Sequence, residues 1–547
     1  MSKKYAFVVV LSMLILVMAA CASPAAPTAG GAVEEAQPAE EAQPAAEEQA
    51  PAEEEAPSKK RMVVGLKELV TSFDMPYDWA IVATWIHSNI SDCLIWRDRE
   101  TGEFIPWLAE SVEQVDDVTW RFKLREGIMF HNGEPFNAEA AKFTIDRITA
   151  DEKALVHNQY SFAKEVNIID DYTIEIVTPN PEPAFFSKVA QTACQVVPPK
   201  YYQEVGSEGF GNAPVGVGPY KFVEWVKDDH IALEANPDYW QGAPDIEEIV
   251  FRAIPEDATR VAELLTGGVD MIITVPVQDW DRISEDPNLG LEQFLTTRVM
   301  LLALRSGPSD PMPDFAGPTT DPRIRAAIEY AIDRESIIEL LDGMGIPTRT
   351  RLTPPNLGSH PGLYNSMGEY NPEKAKELLA EAGYNGEPLT FHSTDAWPSQ
   401  KEVTELITAM LEAVGINVDL QIMDITTFRE QVYFPRKNEE IYMTALGNGF
   451  FDPWITVLSE HPSRRERSGW ATEMADEAGE LIIAAAGNMV PEDRAAQYER
   501  VQELLVATEG GPYVYLYQMK DTMGLRSNIN FSQAPDSFLW FGYATME

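Results

Sequence analysis

The chain has 547 residues, a formal net charge of −45 at pH 7 and a sequence pI near 4.4. So acidic a surface repels phosphate groups, which argues against nucleic acid and anionic lipid headgroups as partners. The roughly 490 residues from Lys59 onward are enough for two lobes, each with its own hydrophobic core.

The N-terminus has the pattern of a secretion signal. Two lysines precede a nearly unbroken apolar run, residues 6–20, which is too short to span a membrane. The run ends in Met18-Ala19-Ala20-Cys21, which resembles a lipobox, the site where a cysteine is lipidated. We therefore predict a lipoprotein signal peptide over residues 1–21 with lipidation at Cys21; an ordinary signal peptide with an incidental cysteine is the alternative.

Residues 22–60 are predicted to be a disordered acidic tether. Up to Ser58 this stretch is almost entirely Ala, Pro, Glu, Gln and Gly, with nine Glu and no aromatic residue. Such a composition cannot bury enough apolar surface to offset the entropy of ordering. Two cysteines remain beyond it, Cys93 and Cys194. They are too few for a disulfide framework, and the sequence leaves open whether they pair.

A strand, a turn and a helix are predicted between Asp116 and Arg147. Apolar residues alternate with polar ones over residues 118–124, which is the period of a half-buried strand. Asn132-Gly133 suits a tight turn, and Asn137 can cap a helix whose apolar residues recur every third or fourth position.

The second half of the chain has an α/β pattern. Asp321 and Asn371 are each followed by proline and can cap helices. A longer helix is predicted to end at Gly415, and apolar residues alternate directly after it over 416–422, which predicts a strand. The Gly-x-Gly at 216–218 lacks the third glycine of a dinucleotide loop and is interpreted as a structural turn.

Several of these segments resemble one known family. The runs WRFKLREG (120–127) and FHNGEPFNAEAAKF (130–143) resemble the signature of the extracytoplasmic solute-binding proteins of family 5, which serve peptide and nickel importers of the ABC class. Further landmarks recur in order from about Arg61 to the C-terminus. The resemblance implies an α/β, periplasmic-binding-protein-like two-lobe fold (type II, cluster C) with an extra subdomain at about residues 95–190. It implies lobe I over 61–296, lobe II over 297–512 and a return to lobe I over 513–547.

Enzymatic chemistry has little support in the sequence. It contains no Gly-x-Ser-x-Gly, His-Glu-x-x-His, Walker or Cys-x-x-Cys motif, and no two of its seven histidines stand at ligand spacing. We therefore expect no catalytic residue, no cofactor and no metal. His131 is interpreted as a structural residue of the signature segment. An exported enzyme whose catalytic groups assemble across the cleft is the competing class.

The resemblance places the ligand site at the segment GNGFFDPW (447–454). In dipeptide- and oligopeptide-binding relatives a carboxylate at the position of Gly449 pairs with the ligand's amino group, and in dipeptide-binding members an Arg stands at the position of Trp397. Both ionic clamps are absent here, which leaves an aromatic cleft. The predicted ligand-binding residues are Ser72, Phe73, Trp397, Asn448, Gly449, Phe450, Phe451, Asp452 and Trp454. Alternatively, Phe450 and Phe451 belong to the core and Asp452 caps a helix before Pro453.

The function that the resemblance implies is solute capture outside the cytoplasm. We expect a monomeric substrate-binding component of an ABC importer, held at the cell membrane by a lipid on Cys21, that binds an oligopeptide or similar small solute. Its partners would be a membrane permease and an ATPase. A ligand of the oligosaccharide or neutral amphiphilic kind, or a role as a ligand sensor, are the alternatives.

Overall fold

The computed structural model describes residues 59–547 except 78–79, 99–100, 153, 155–156, 158–161, 466–467 and 534–537. The predicted signal peptide, Cys21 and the tether up to Ser58 lie outside the described residues. Within the described ranges, no helix is long and apolar enough to cross a membrane.

The largest element is an eleven-stranded mixed sheet. From edge to edge its strands are β15 (Val418–Ile422), β14 (Leu389–Ser393), β16 (Ile441–Leu446), β12 (Leu289–Leu304), β17 (Tyr513–Arg526), β11 (Met271–Ile273), β1 (Arg61–Leu66), β10 (Glu248–Ala253), β9 (His230–Ala235) and β8 (Tyr220–Val226), and β13 (Gly345–Pro347) pairs with β17. We call β1 and β8 to β11 the first half of the sheet and β13 to β16 the second half.

The long strands β12 and β17 join the two halves and are called the crossover strands. They are paired antiparallel, with a register shift between Leu295 and Val299. The N-terminal part of β12 and the C-terminal part of β17 lie against the first half, and their other ends lie in the second half. The chain crossings predicted near residues 296–304 and 512 fall on or beside these strands. The lobe boundaries stay predictions.

A separate four-stranded sheet contains the signature segment. Its order is β4 (Ala109–Asp116), β5 (Thr119–Leu124), β7 (Thr173–Val177) and β6 (Glu165–Asp170). The helix Ala138–Ala150 accompanies it, and the Asn137 side chain accepts a hydrogen bond from the backbone N–H of Ala140 at 3.1 Å. The predicted strand and helix cap are therefore confirmed. We call this sheet with its helix the subdomain sheet.

The remaining elements are mostly helices and short hairpins. The hairpins are β2 (Ile95–Arg97) with β3 (Phe104–Pro106) and β18 (Ile529–Asn530) with β19 (Thr545–Met546). Among the described residues, the other α-helices are Ile81–His87, Phe185–Val189, Pro199–Asn212, Asp257–Thr266, Trp280–Ser284, Pro322–Ala331, Arg334–Leu340, Pro372–Ala382, Gln400–Ala413, Ile425–Phe428, Pro453–Thr456, Glu473–Ala486 and Pro491–Leu505. Asp321 and Asn371 cap their helices as predicted, and β15 follows Gly415 as predicted.

Two sequence features have structural explanations. His131 Nε2 donates to the Gly218 carbonyl at 3.0 Å, and burial lowers its pKa to about 4, so this histidine is a neutral packing residue. A Cβ atom on Gly216 would lie 2.1 Å from the carbonyl oxygen of Ile90. The Gly-x-Gly therefore permits close backbone packing.

Cys93 and Cys194 are both buried and both free. The pairing that the sequence left open is absent. Burial raises the pKa of both thiols, that of Cys194 to about 12. Near them His87 is also buried; its Nδ1 is hydrogen-bonded to the Gln195 amide oxygen, and burial lowers its pKa to about 4.

Candidate ligand-binding site

Strands from the two halves of the sheet end at the same place. In the first half, β11 runs antiparallel along β17 towards Thr522, and in the second half β16 runs antiparallel along β12 towards Arg298. Their carboxyl ends therefore approach the middle of the crossover strands from opposite directions. In open α/β sheets, ligands bind at the carboxyl ends of the strands. The middle of the crossover strands is the candidate site.

The floor of the site is the register shift in β12. Between Leu295 and Val299 the chain makes an irregular turn that is fixed by side chains: Thr296 Oγ1 donates to the Met519 carbonyl at 3.0 Å, and Gln518 Nε2 donates to the Thr296 carbonyl at 2.7 Å. Such irregularities redirect side chains and recur beside functional sites.

Two charged side chains occupy this floor, Arg298 on β12 and Asp521 on β17. Asp521 accepts hydrogen bonds from the Thr522 backbone N–H at 2.8 Å and from Thr274 Oγ1 at 3.3 Å. Burial lowers the pKa of Arg298 and raises that of Asp521, and the attraction between the two charges opposes each shift. The sequence reasoning missed both residues. A signal was present for Arg298, which is a lone charge directly before the apolar residues of a buried strand, whereas Asp521 follows Lys520.

Trp397 lies on the loop after β14 and reaches the same floor. Its ring centroid is 5.1 Å from the Arg298 guanidinium carbon, a cation–π contact, and its ring is only half-buried. Its backbone N–H donates to Gln400 Oε1 at 3.3 Å. Of the predicted residues, Trp397 is the one that the structure places beside the floor with an accessible ring.

The segment after β16, residues 447–454, is called the aromatic loop. Asn448 is buried in it; its Nδ2 donates to Asn356 Oδ1 at 2.6 Å and to the Asp452 carbonyl at 3.0 Å, and its Oδ1 accepts from the Phe450 N–H at 3.2 Å. Its backbone N–H donates to Thr297 Oγ1 at 3.3 Å. The Asn448 amide therefore holds the shape of the loop.

The two phenylalanines of the aromatic loop are buried against residues of the N-terminal region. Phe450 is 5% exposed and packs into the core of the subdomain sheet, where its carbonyl accepts a hydrogen bond from Ser187 Oγ at 2.9 Å. Phe451 is 6% exposed, with the guanidinium carbon of Arg97 3.3 Å from its ring centroid. Their burial agrees with the alternative prediction, in which both rings belong to the hydrophobic core.

Asp452 and Trp454 start the helix Pro453–Thr456. Asp452 Oδ1 accepts from the Trp454 N–H at 3.1 Å, so the predicted helix cap is confirmed. The carboxylate also accepts two hydrogen bonds from Arg494. The Trp454 ring is half-buried beneath Lys188, whose Nζ lies 4.2 Å from its centroid.

Gly449 leaves space at the position where related peptide binders hold a carboxylate. A Cβ atom added there would meet no atom within 4 Å among the described residues. Its carbonyl accepts a hydrogen bond from Gln191 Nε2 at 3.3 Å.

Ser72 and Phe73 follow β1 and are anchored in the first half. Phe73 is fully buried among aromatic residues, with Trp225 and Phe222 at centroid distances of 5.6 and 5.9 Å, and its N–H donates to the Gly211 carbonyl at 2.9 Å. Ser72 Oγ accepts from the Asp74 N–H at 3.1 Å. Phe73 therefore belongs to the hydrophobic core of the first half of the sheet.

Among the described residues, no group of three or more His, Cys, Asp or Glu side chains could hold a metal ion.

Comparison with known proteins decides the family. Residues 103–459 match the model of the bacterial extracellular solute-binding proteins, family 5. The chain belongs to this family. The predicted α/β two-lobe, type II periplasmic-binding-protein fold is thereby confirmed, and this family-5 protein is a substrate-binding component of the ABC-importer class. The relatives that it resembles are solute-binding proteins.

Among its relatives is a glutathione-binding protein, GsiB, of Pectobacterium atrosepticum. The two are 29% identical over 373 residues, which are 67% of this chain and 70% of the relative. Solved structures share the fold. NikA of Brucella suis, in complex with Fe(III)-EDTA, superposes with a TM-score of 0.79 at 21% identity, over 89% of this chain and all of NikA. DppA of Helicobacter pylori, in complex with the peptide STSA, has a TM-score of 0.73 at 23% identity, over 89% and 98% of the two chains.

Proposed function

We propose that this family-5 protein is the lipid-anchored substrate-binding component of an ABC importer, which binds a peptide or similar small solute between two lobes and delivers it to a membrane permease. The observation that carries the proposal is the convergence of β11 and β16 on the crossover strands, where Arg298, Asp521 and Trp397 lie together. Residues 61–296 with 513–547 would form lobe I, and 297–512 lobe II.

Contacts of the aromatic loop support closure of the lobes as the binding mechanism. In the proposed division the loop is part of lobe II, whereas Ser187, Gln191 and Arg97, which contact it, are part of lobe I. A ligand that contacts both lobes at the floor would favour the closed form by its additional contacts there.

A peptide is the ligand class that we favour. One relative is a glutathione-binding protein, and a structural neighbour is in complex with a tetrapeptide. The half-buried Trp397 ring also suits the flat face of a sugar, so a neutral oligosaccharide is the second candidate.

Anchoring is proposed from the sequence. The lipobox-like Met18-Ala19-Ala20-Cys21 and the acidic tether would hold the protein at the outer face of the cell membrane. With Cys21→Ala, we expect the protein to lose lipid labelling and to leave the membrane fraction. Membrane attachment that is unchanged in this variant would contradict the anchor.

Titration calorimetry and thermal shift test the binding function. We expect glutathione or the tetrapeptide STSA to stabilise the protein and to be recovered unchanged, with a neutral oligosaccharide as the comparison. Stabilisation by the oligosaccharide alone would favour the second candidate. Conversion of a ligand into product by the purified protein would overturn the binding role.

A further inference from the structure

We propose that Arg298 and Asp521 form a charged clamp for an α-amino-acid head group of the ligand, with Arg298 at its carboxylate and Asp521 at its ammonium. An α-amino-acid head group carries both charges on one carbon, as the γ-glutamyl end of glutathione does. The inference rests on the proposed function, because it names the ligand class of the same site.

The Arg298 side chain is half-buried and makes no hydrogen bond, unlike the buried arginines in the described part of the chain. Arg325 donates to four backbone carbonyls, and Arg334 donates to the Tyr515 carbonyl and to Glu329. Within the described part of the chain, the Arg298 guanidinium has neither a hydrogen bond nor an ion pair within 4.0 Å, and its cation–π partner is the Trp397 ring. The N–H donors of this half-buried guanidinium are therefore available to a ligand.

The Asp521 carboxylate also has acceptor sites that no hydrogen bond uses. It accepts two hydrogen bonds, from the Thr522 N–H and from Thr274, although a carboxylate offers about four acceptor sites. In the described part of the chain no lysine, arginine or histidine lies within 4.0 Å of it. The charges of Asp521 and Arg298 attract each other, yet the two side chains form no ion pair within 4.0 Å, and we call the interval between them the gap.

The neighbourhood of Arg298 keeps the gap accessible. Gly447 is exposed beside it, and a Cβ atom there would lie 3.2 Å from Arg298 Cγ and 3.3 Å from Thr297 Oγ1. Across the gap, Thr274 takes a φ of 62°, which β-branched residues rarely adopt. Thr274 is held there by its N–H, which donates to the Thr522 carbonyl at 2.7 Å, and the strain positions its hydroxyl against Asp521.

The chemistry of the two side chains selects the head group. A guanidinium binds a carboxylate through two parallel hydrogen bonds, and a carboxylate accepts the N–H donors of an ammonium. A ligand with only one charge would leave the opposite charge unpaired in a half-buried site, which weakens its binding. The clamp would thus replace the two ionic positions that this chain lacks at Gly449 and Trp397.

End-capped ligands test the clamp on the unmodified protein. The probes are glutathione, its N-acetyl form, its γ-glutamyl α-amide and, as the matched control, its glycine amide. We expect N-acetylation and α-amidation each to weaken binding at least about tenfold, the loss of one charge-assisted hydrogen bond, and the glycine amide to bind like glutathione.

Variants assign each end of the probe to its residue. With Arg298→Gln the α-amide should bind as well as glutathione, and with Asp521→Asn the N-acetyl form should do so. The controls Arg282→Gln and Asp238→Asn change exposed charges and should keep the wild-type ranking. If a variant does not fold, binding of the capped probes to the wild-type protein still tests the clamp.

The outcomes separate the clamp from the proposed function. Equal binding of all four glutathione forms, or binding of STSA with no binding of glutathione, overturns the clamp and leaves the peptide-binding function in place. Failure of both glutathione and STSA to bind overturns the peptide-binding function and the clamp with it.

Discussion

Arg494 holds Asp452 by two parallel hydrogen bonds, from Nη1 to Oδ2 at 2.6 Å and from Nη2 to Oδ1 at 2.7 Å. Both side chains are buried, at 3% and 9% exposure. The pair connects the start of the helix Pro453–Thr456 to the helix Pro491–Leu505, and so fixes the end of the aromatic loop.

Removal of one partner should therefore destabilise the fold. Asp452→Ala leaves the Arg494 charge buried and unpaired and should lower the free energy of unfolding by about 3–5 kcal/mol. The matched control is Glu477→Gln, which breaks the exposed pair with Arg500 and should cost about 1 kcal/mol or less. Urea unfolding measures both. Equal losses in the two variants would contradict the structural role of the buried pair.

The empty space at Gly449 predicts that a larger side chain is tolerated there. Gly449→Asp should change the free energy of unfolding by no more than about 0.5 kcal/mol. As the contrast, Gly307→Ala should destabilise the protein, because the Cβ atom of the new alanine would lie 2.5 Å from the Gly469 carbonyl oxygen. If the position faces the ligand as the resemblance implies, peptides with a free amine should bind Gly449→Asp more tightly than wild type. Strong destabilisation of Gly449→Asp would show that the space is occupied.

Alanine substitutions at Trp397 and Phe451 should differ in their effects on ligand affinity and on stability. Trp397→Ala removes an accessible ring at the floor, so ligand affinity should fall about tenfold while the melting temperature changes little. Phe451→Ala empties a buried position under Arg97 and should lower the stability by about 3 kcal/mol together with the affinity. Calorimetry and thermal melts separate the two patterns. Unchanged binding in both variants would end the aromatic-cleft hypothesis.

Acid should destabilise the protein partly through His87. Burial lowers the pKa of His87 to about 4, whereas in the unfolded chain it is about 6.5. Between these values the unfolded state binds the extra proton, so stability falls as the pH falls, by about 2 kcal/mol from pH 7 to pH 5. Burial raises the pKa of Asp92 to about 6, which acts in the opposite direction below that pH.

The comparison of wild type with His87→Gln isolates the histidine, because Asp92 is common to both proteins. The variant should lose about 2 kcal/mol less than wild type when urea unfolding is measured at pH 7 and at pH 5. The same loss in both proteins would mean that His87 is not buried in its neutral form.

The two thiols should be unreactive in the folded state. Cys93 and Cys194 are 1% and 3% exposed, and the raised pKa of each thiol leaves little thiolate at pH 8. In protein that carries Cys21→Ser, a disulfide-exchange reagent should label neither thiol natively and both in guanidinium chloride. Rapid native labelling of either one would contradict its burial.

Local patterns in the sequence predicted local structure well. The strand Thr119–Leu124 and the caps at Asn137 and Asp321 depend on residues within one or two turns of each other, so their signals lie in short stretches of sequence. The family and its fold followed from such stretches as well.

The candidate site was harder to predict because its parts come from distant segments. Arg298 and Asp521 are 223 positions apart in the sequence and meet only through the pairing of β12 with β17. Phe450 looked like a ligand-facing ring, yet it packs against a core built from residues more than 200 positions earlier. Neither strand register nor such long-range packing can be read from one sequence.

The burial of Phe450 in the core of the subdomain sheet has a kinetic consequence. Withdrawal of the ring into water would cost about 2 kcal/mol, which is about a thirtyfold preference for the docked state. If a solute can leave only when this ring is withdrawn, the docked ring would slow its release by about thirtyfold. Phe450→Ala should shorten the residence time of a captured solute. A partner protein that displaces this ring from the core of the subdomain sheet would promote release of the solute.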